Sequence, residues 1–220
     1  LVGSEMCIRD SNDSGLSVDY ARSVWAGFKA VINYAKKYYK LLYDPTLPVT
    51  PIPRTKPQAK FITREEFDEK VEKITNETSR NLTKLLFYSG LRIGEALALQ
   101  WKDYDFEKGE LNINKKLNLS KKTIETNLKK ESSKGIIPIP KHIRKMLNDM
   151  YGQDSKNYKY FTENYFIFGG YEPMIYITFS GHFKKAFPNL RIHHLRHSYA
   201  SYLINNGVDT VSYTHLTLPT

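Results

Sequence analysis

From Val18 onward, Val18, Ala21, Val24, Phe28, Val31, Ala35, Tyr38 and Leu42 return every three or four positions, the spacing that lays one apolar stripe along a helix. Ser17 can cap that helix by accepting a hydrogen bond from its first turn, and the pattern predicts it to run to about Tyr43. Pro45, Pro48, Pro51, Pro53 and Pro57 then interrupt regular structure and, with Arg54, Lys56 and Lys60, predict an extended basic linker between two domains. Thr63-Arg64-Glu65-Glu66 is a capping box with Ile62 and Phe67 as its hydrophobic staple, so a helix starts at about Arg64. Further helices are predicted over 79–88, halting at Gly90, and across Ile93, Ala96, Leu97 and Leu99. The period then changes. Leu111 and Ile113 alternate with polar residues, Glu107-Lys108-Gly109 makes a turn, and Ile136-Ile137-Pro138-Ile139 is a short strand closed by proline, which together predict one small antiparallel sheet. Helical spacing resumes over 140–151, 176–187 and 195–205, the last ending near Gly207, while the polar, tyrosine-rich 152–165 reads as a loop. The fold class is mainly α with a small antiparallel β-sheet, α+β.

The two ends are not like the rest. One codon choice for Met6-Cys7-Ile8-Arg9-Asp10 has a reverse complement that encodes Val-Ser-Tyr-Thr-His, the residues from Val211 to His215. No folding requirement relates two termini as opposite DNA strands, whereas sequencing adapters do so by design. Residues 1–11 and 211–220 resemble translated library adapters and are set aside as scars. The expectation is an internal piece of a longer gene. The only cysteine, Cys7, goes with the scar, so the rest offers no disulfide or thiolate ligand. The whole chain carries +10; residues 1–10 hold Glu5, Asp10 and Arg9, net −1, and 211–220 hold no charge, which leaves +11 between them. No run approaches the roughly 18 apolar residues of a membrane helix. A basic globular domain of this kind suits a polyanionic partner, although charge alone fits a merely basic surface as well.

Three stretches could carry chemistry. In YSGLRIGEALALQWKDYD, Arg92 stands between a glycine turn and a helix, with Glu95 three residues on and able to face it. That arrangement fits an anion site, and it equally fits an ordinary helix-start ion pair. In NLKKESSKGIIPIP, Lys129 and Lys130 precede a turn and strand, where a solvated hairpin tip is the simple reading. RIHHLRHSYA places three histidines and two arginines in seven positions, Arg191 to His197. His193 and Arg196 share a helical face and His197 lies one turn beyond His193. His193 and His197 make a poor metal site, because no HExxH motif or usable cysteine accompanies them. Around a phosphate the same residues make better sense.

The order of these pieces is specific: GLRIGEALAL followed by a tryptophan and an aspartate, a lysine at a hairpin before IPIP, then HxLRHSxAS, then NNGVD. Over most of residues 58–209 the chain closely resembles the catalytic domain of the tyrosine recombinases, the phage-type integrases. The resemblance implies a C-terminally truncated catalytic domain over 61–210, joined by the linker 45–60 to the end of a helical core-binding domain at 12–44. It implies site-specific DNA recombination without metal or cofactor. Arg92 and Arg196 would hold the scissile phosphate with planar, permanently charged forks, each preorganised donor contributing on the order of 3 kcal/mol to the transition state. Lys129 would protonate the departing 5′ oxygen, His193 would be a further acid or base, Glu95 would orient Arg92, and His197 would be structural. The implied partners are double-stranded attachment sites and three more copies of the full-length parent, in the cytoplasm at the nucleoid, away from any membrane.

The family's motif continues after NNGVD into a Leu-Gly-His segment and then the nucleophilic tyrosine, roughly 30 or more residues beyond the helix arginine. Tyr213 and His215 are too close to Arg196 and follow from adapter codons; Tyr199 and Tyr202 read as packing. The expectation is therefore no nucleophile in this chain. Gly135 also stands where many relatives carry a basic residue. The alternative reading is a noncatalytic DNA-binding protein that keeps the recombinase-like fold.

Overall fold

A computed structural model describes residues 17–49, 61–126 and 135–205. The chain divides into two compact units, 1–58 and 59–220. In the first, α1 (Val18–Tyr39) starts where expected, with the Ser17 hydroxyl accepting from the Tyr20 amide. It stops about four residues sooner than its apolar pattern, because Lys40 turns left-handed at φ 49°. The chain then folds back, and the Asp44 carboxylate accepts from Lys36 Nζ at 2.7 Å and from the Thr46 amide at 2.9 Å. Lys36 and those bonds from Thr46 hold the Asp44 pKa at about 2. No α1 residue is buried, and Val24, Phe28, Val31 and Tyr38 of the stripe stand exposed. Linker residues 50–60 lie outside the described residues, as do both adapter-like ends.

The second unit begins with α2 (Arg64–Val71), whose Thr63 hydroxyl accepts from the Glu66 amide while Ile62 and Phe67 are both buried. The next helix, α3 (Glu77–Ser89), starts two residues before the expected 79, because the Asn76 side chain caps the Ser79 amide. Gly90 ends it at φ 64°, a left-handed conformation that glycine adopts without a Cβ clash. α4 (Ile93–Leu97) is shorter than its apolar pattern: Leu99 falls outside it, and Trp101–Asp103 forms a separate 3-10 turn.

The single expected sheet is two. β1 (Tyr104–Asp105), β2 (Glu110–Ile113) and β5 (Gly135–Pro138) form an antiparallel sheet in the order β1-β2-β5, with Leu111 opposite both Tyr104 and Ile137. β3 (Lys116–Asn118) and β4 (Thr123–Glu125) pair separately, Lys116 opposite Glu125. Lys115, just before β3, is buried with its ammonium 2.6 Å from Asp103 and bonded to Gln100. β3 packs against the start of α4 so closely that a Cβ on Gly94 would lie 2.7 Å from the Leu117 carbonyl oxygen.

α5 (Lys141–Asn157) extends six residues past the expected end and takes in part of the stretch read as loop. Its last turns are polar, and tertiary contact keeps them helical: Asp154 accepts from the buried Trp101 indole N–H at 3.1 Å. α6 (Tyr176–Ala186) falls where expected, and α7 (Ile192–Asn205) begins three residues early, with the Arg191 amide donating to His194 Nδ1. Phe67 stacks on Phe87 at 3.9 Å between ring centres, and Phe187 stacks beside them, so α2, α3 and the end of α6 share one aromatic core. Among the described residues, no helix is long and apolar enough to cross a membrane.

The Gly94 contact yields a test. Since the obstructing atom is backbone, Gly94→Ala must push β3 off α4, an overpacking cost of about 1–3 kcal/mol. Urea unfolding of the variant should show that loss; wild-type stability would mean the two elements do not approach this closely.

Candidate active site

The corner between α3 and α4 builds the first half of the site. Arg92 occupies the N-cap of α4, and Glu95, one turn in, accepts both its backbone N–H and its guanidinium Nη1 at 2.9 Å. Glu95 is buried while the Arg92 side chain remains 45% exposed, so the carboxylate anchors the guanidinium's base and leaves its fork reachable.

α7 supplies the second half. Arg196 is buried to 4% exposure and donates to the Gly90 carbonyl, which joins α7 to the α3–α4 corner across 106 positions of sequence. Burial and the nearby Arg92 charge work against the Arg196 charge, and Glu95 supports it. Guanidinium remains protonated in proteins, so the site gathers two fixed positive charges and one buried negative one. His193, on the same face, lines an open pocket of about 310 Å³ with Arg92, Glu95, Lys116, Leu117 and Ile192. Partial screening from water, then the charges of His197, Arg196 and Arg92, push its pKa below the usual 6.5. His193 and His197 meet edge to face, rings 4.7 Å apart and 89° inclined. Among the described residues, no three His, Cys, Asp or Glu side chains cluster as metal ligands.

Of the residues singled out from sequence, Arg92, Glu95, His193 and Arg196 thus lie together, with His197 against His193. Lys129, with its neighbour Lys130, lies outside the described residues. Tyr202 receives a hydrogen bond from Arg64 at 3.5 Å. Three contributors escaped sequence reading: the Gly90 carbonyl, the close approach at Gly94, and Lys116 in the pocket wall. Lys116 had a signal available, since it stands three residues after Ile113 and so opposite in parity to the apolar Leu111 and Ile113.

A mainly helical domain that sets Arg92 and His193 in the wall of one opening, with the buried Arg196 close to both, defines a class, and sequence relatives define it further. The model of the phage integrase family matches residues 60–216, and the chain belongs to that family. It is 28% identical over 211 residues to a tyrosine recombinase XerC-like protein of Caldanaerobacter subterraneus subsp. tengcongensis, covering 82% of this chain and 54% of that protein. It is 25% identical to the ICEBs1 integrase of Bacillus subtilis, covering 91% of this chain and 58% of that one. The chain therefore spans somewhat over half the length of these relatives. Among solved structures, the Tn1549 transposon integrase in complex with transposon right end DNA superposes with a TM-score of 0.76 at 20% identity, covering 97% of this chain and 75% of that one. XerH bound to difH gives 0.60 at 19% identity, covering 97% and 63%. Both share its fold.

The depressed His193 pKa has a sign that can be checked. The unfolded chain takes up the proton more readily, so this group costs the fold stability as pH falls from about 6.5 through the folded value. Arg92→Gln removes a positive charge that opposes protonation, and should move the His193 titration upward in an NMR pH series. An unmoved or lowered midpoint would show that the Arg92 charge does not reach the ring.

Proposed function

We propose that the parent of this chain is a site-specific recombinase that cuts and rejoins duplex DNA through a 3′-phosphotyrosine. The observation that supports it is the convergence of Arg92, His193 and the buried Arg196 from two distant segments, with Arg92 and His193 lining one opening. A binding protein needs scattered phosphate contacts; two guanidiniums and an imidazole at a single phosphate suit a pentavalent transition state. In this reading Arg92 and Arg196 bind the non-bridging oxygens, and Glu95 holds Arg92 in place. The attacking tyrosine gives up its proton, its oxygen bonds to phosphorus as the P–O5′ bond breaks, and Lys129 protonates the departing 5′ oxygen. His193, whose neutral ring is favoured by partial burial and by the charges of His197, Arg196 and Arg92, serves as the further acid or base. The phosphotyrosine ester conserves the bond for rejoining to another strand.

Exchange between two duplexes cuts four strands, and one nucleophile per copy cuts one, so the working assembly is a homotetramer on two attachment sites. It acts in the cytoplasm, at the nucleoid. In this reading the nucleophile belongs to a segment of the parent beyond Asp209, and Tyr213, in the end that resembles adapter, does not replace it. The chain as it stands should accordingly bind duplex DNA without cleaving it.

Fluorescence anisotropy against salt tests the first half. Affinity should fall with a log-log slope of about −0.9 for each phosphate neutralised. Incubation with nicked duplex tests the second: no covalent adduct is expected from this chain, and one is expected after the parent's following segment is restored, unless its tyrosine is changed to phenylalanine. A flat salt response would remove DNA as the partner; an adduct from this chain would show that it holds a nucleophile.

A further inference from the structure

Lys115 and Lys116 are adjacent in sequence and differ in environment. The Lys115 ammonium is locked between Asp103 and Gln100, its side chain only 10% exposed, and is structural. Lys116 emerges on the other side of the strand, in the wall of the pocket that Arg92 and His193 also line. The tight contact between Gly94 and the Leu117 carbonyl fixes this strand to the start of α4, so the backbone of Lys116 is held in register with that of Arg92.

Its partner is equally well placed. Glu125 lies directly across from it on β4, with carboxylate and ammonium 3.1 Å apart. The other carboxylate oxygen accepts from Asn118 Nδ2 at 2.6 Å. The Asn118 side-chain oxygen Oδ1 in turn accepts from the Ser120 and Lys121 amides of the turn, which sets the side-chain amide's orientation. Glu125 is thus held by the hairpin independently of Lys116. Both members of the pair are about one third exposed, at 36% and 34%. A pair in that setting is weak, and a more strongly charged anion can take the ammonium from it.

We propose that Lys116 binds the DNA phosphate neighbouring the one at Arg92 and Arg196, and that Glu125 is its counter-ion until DNA arrives. The inference rests on the reading that the pocket receives a DNA strand. Forked guanidiniums suit the reacting phosphorus, whereas a lysine ammonium is a point charge on a flexible stem, suited to a flanking phosphate whose position varies along the strand. Contacts to phosphate position a duplex without reading its sequence, so Lys116 sets how the strand enters the pocket whatever its bases.

The test uses the whole chain and a fluorescein-labelled duplex of mixed sequence, with anisotropy measured across a salt series. Lys116→Ala should weaken binding and reduce the magnitude of the log-log slope by about 0.9, the loss of one phosphate contact. Lys116→Arg should retain the slope. Glu125→Gln should tighten binding with the slope unchanged, and only while Lys116 is present, so that the gain vanishes in the double variant. Thermal unfolding of each variant confirms that it is folded, and Lys116→Gln replaces the alanine variant if that one is not. A wild-type slope in folded Lys116→Ala or Lys116→Gln would overturn the phosphate contact. An equal gain from Glu125→Gln with and without Lys116 would overturn the counter-ion role, leaving only the general field of one carboxylate. If the unaltered chain shows no salt-dependent binding, the recombinase reading fails first and this one with it; if it binds and only the Lys116 variants fail to change, the recombinase reading stands.

Discussion

A buried guanidinium organises the second unit. A charge removed from water is tolerated only where hydrogen bonds and opposite charge replace the lost hydration, and Arg196 obtains both from the α3–α4 corner: the Gly90 carbonyl and the nearby Glu95 carboxylate. The requirement reaches outward. Gly90 must turn left-handed to end α3 and present that carbonyl, Arg92 must cap α4, and Glu95 must point inward to receive Arg92.

The same arrangement leaves a charge imbalance. Two guanidiniums and one buried carboxylate carry a net positive charge, and Arg92 brings that excess to an opening that His193 and Lys116 also border. The fold holds Arg92 close enough for its charge to work against that of Arg196. The hairpin β3–β4 extends the logic by carrying a further cation with its own counter-ion, and the Gly94 contact keeps that hairpin seated.

Local signals in the sequence were sufficient for most elements. Ser17, Thr63 and Gly90 mark helix ends because caps and left-handed turns depend on one residue and its near neighbours. Where the structure departs, a longer-range contact won. The end of α5 is polar and reads as loop until Asp154 meets the Trp101 indole N–H, 53 positions away. α4 ends at Leu97 although Leu99 continues its apolar spacing, and the Trp101 amide bonds instead to the Tyr165 carbonyl. Sheet pairing likewise escaped, because alternation says which face a residue takes and not which strand lies beside it.

For the site, the amino-acid sequence by itself determined which groups are available: Arg92 with Glu95 three residues on, and His193 and Arg196 on one face of a helix, all in an order that resembles the integrase catalytic domain. Those relations are short in sequence, and helical geometry enforces them. Only the tertiary structure decided that the two groups meet, that Arg196 is buried against Gly90 while Arg92 stays reachable, and that of two adjacent lysines Lys115 is locked inside while Lys116 opens to the pocket. The reason is physical: helix and strand periods set the direction of a side chain relative to its own element, whereas its desolvation, its partners and its charge environment depend on what packs against that element from far along the chain.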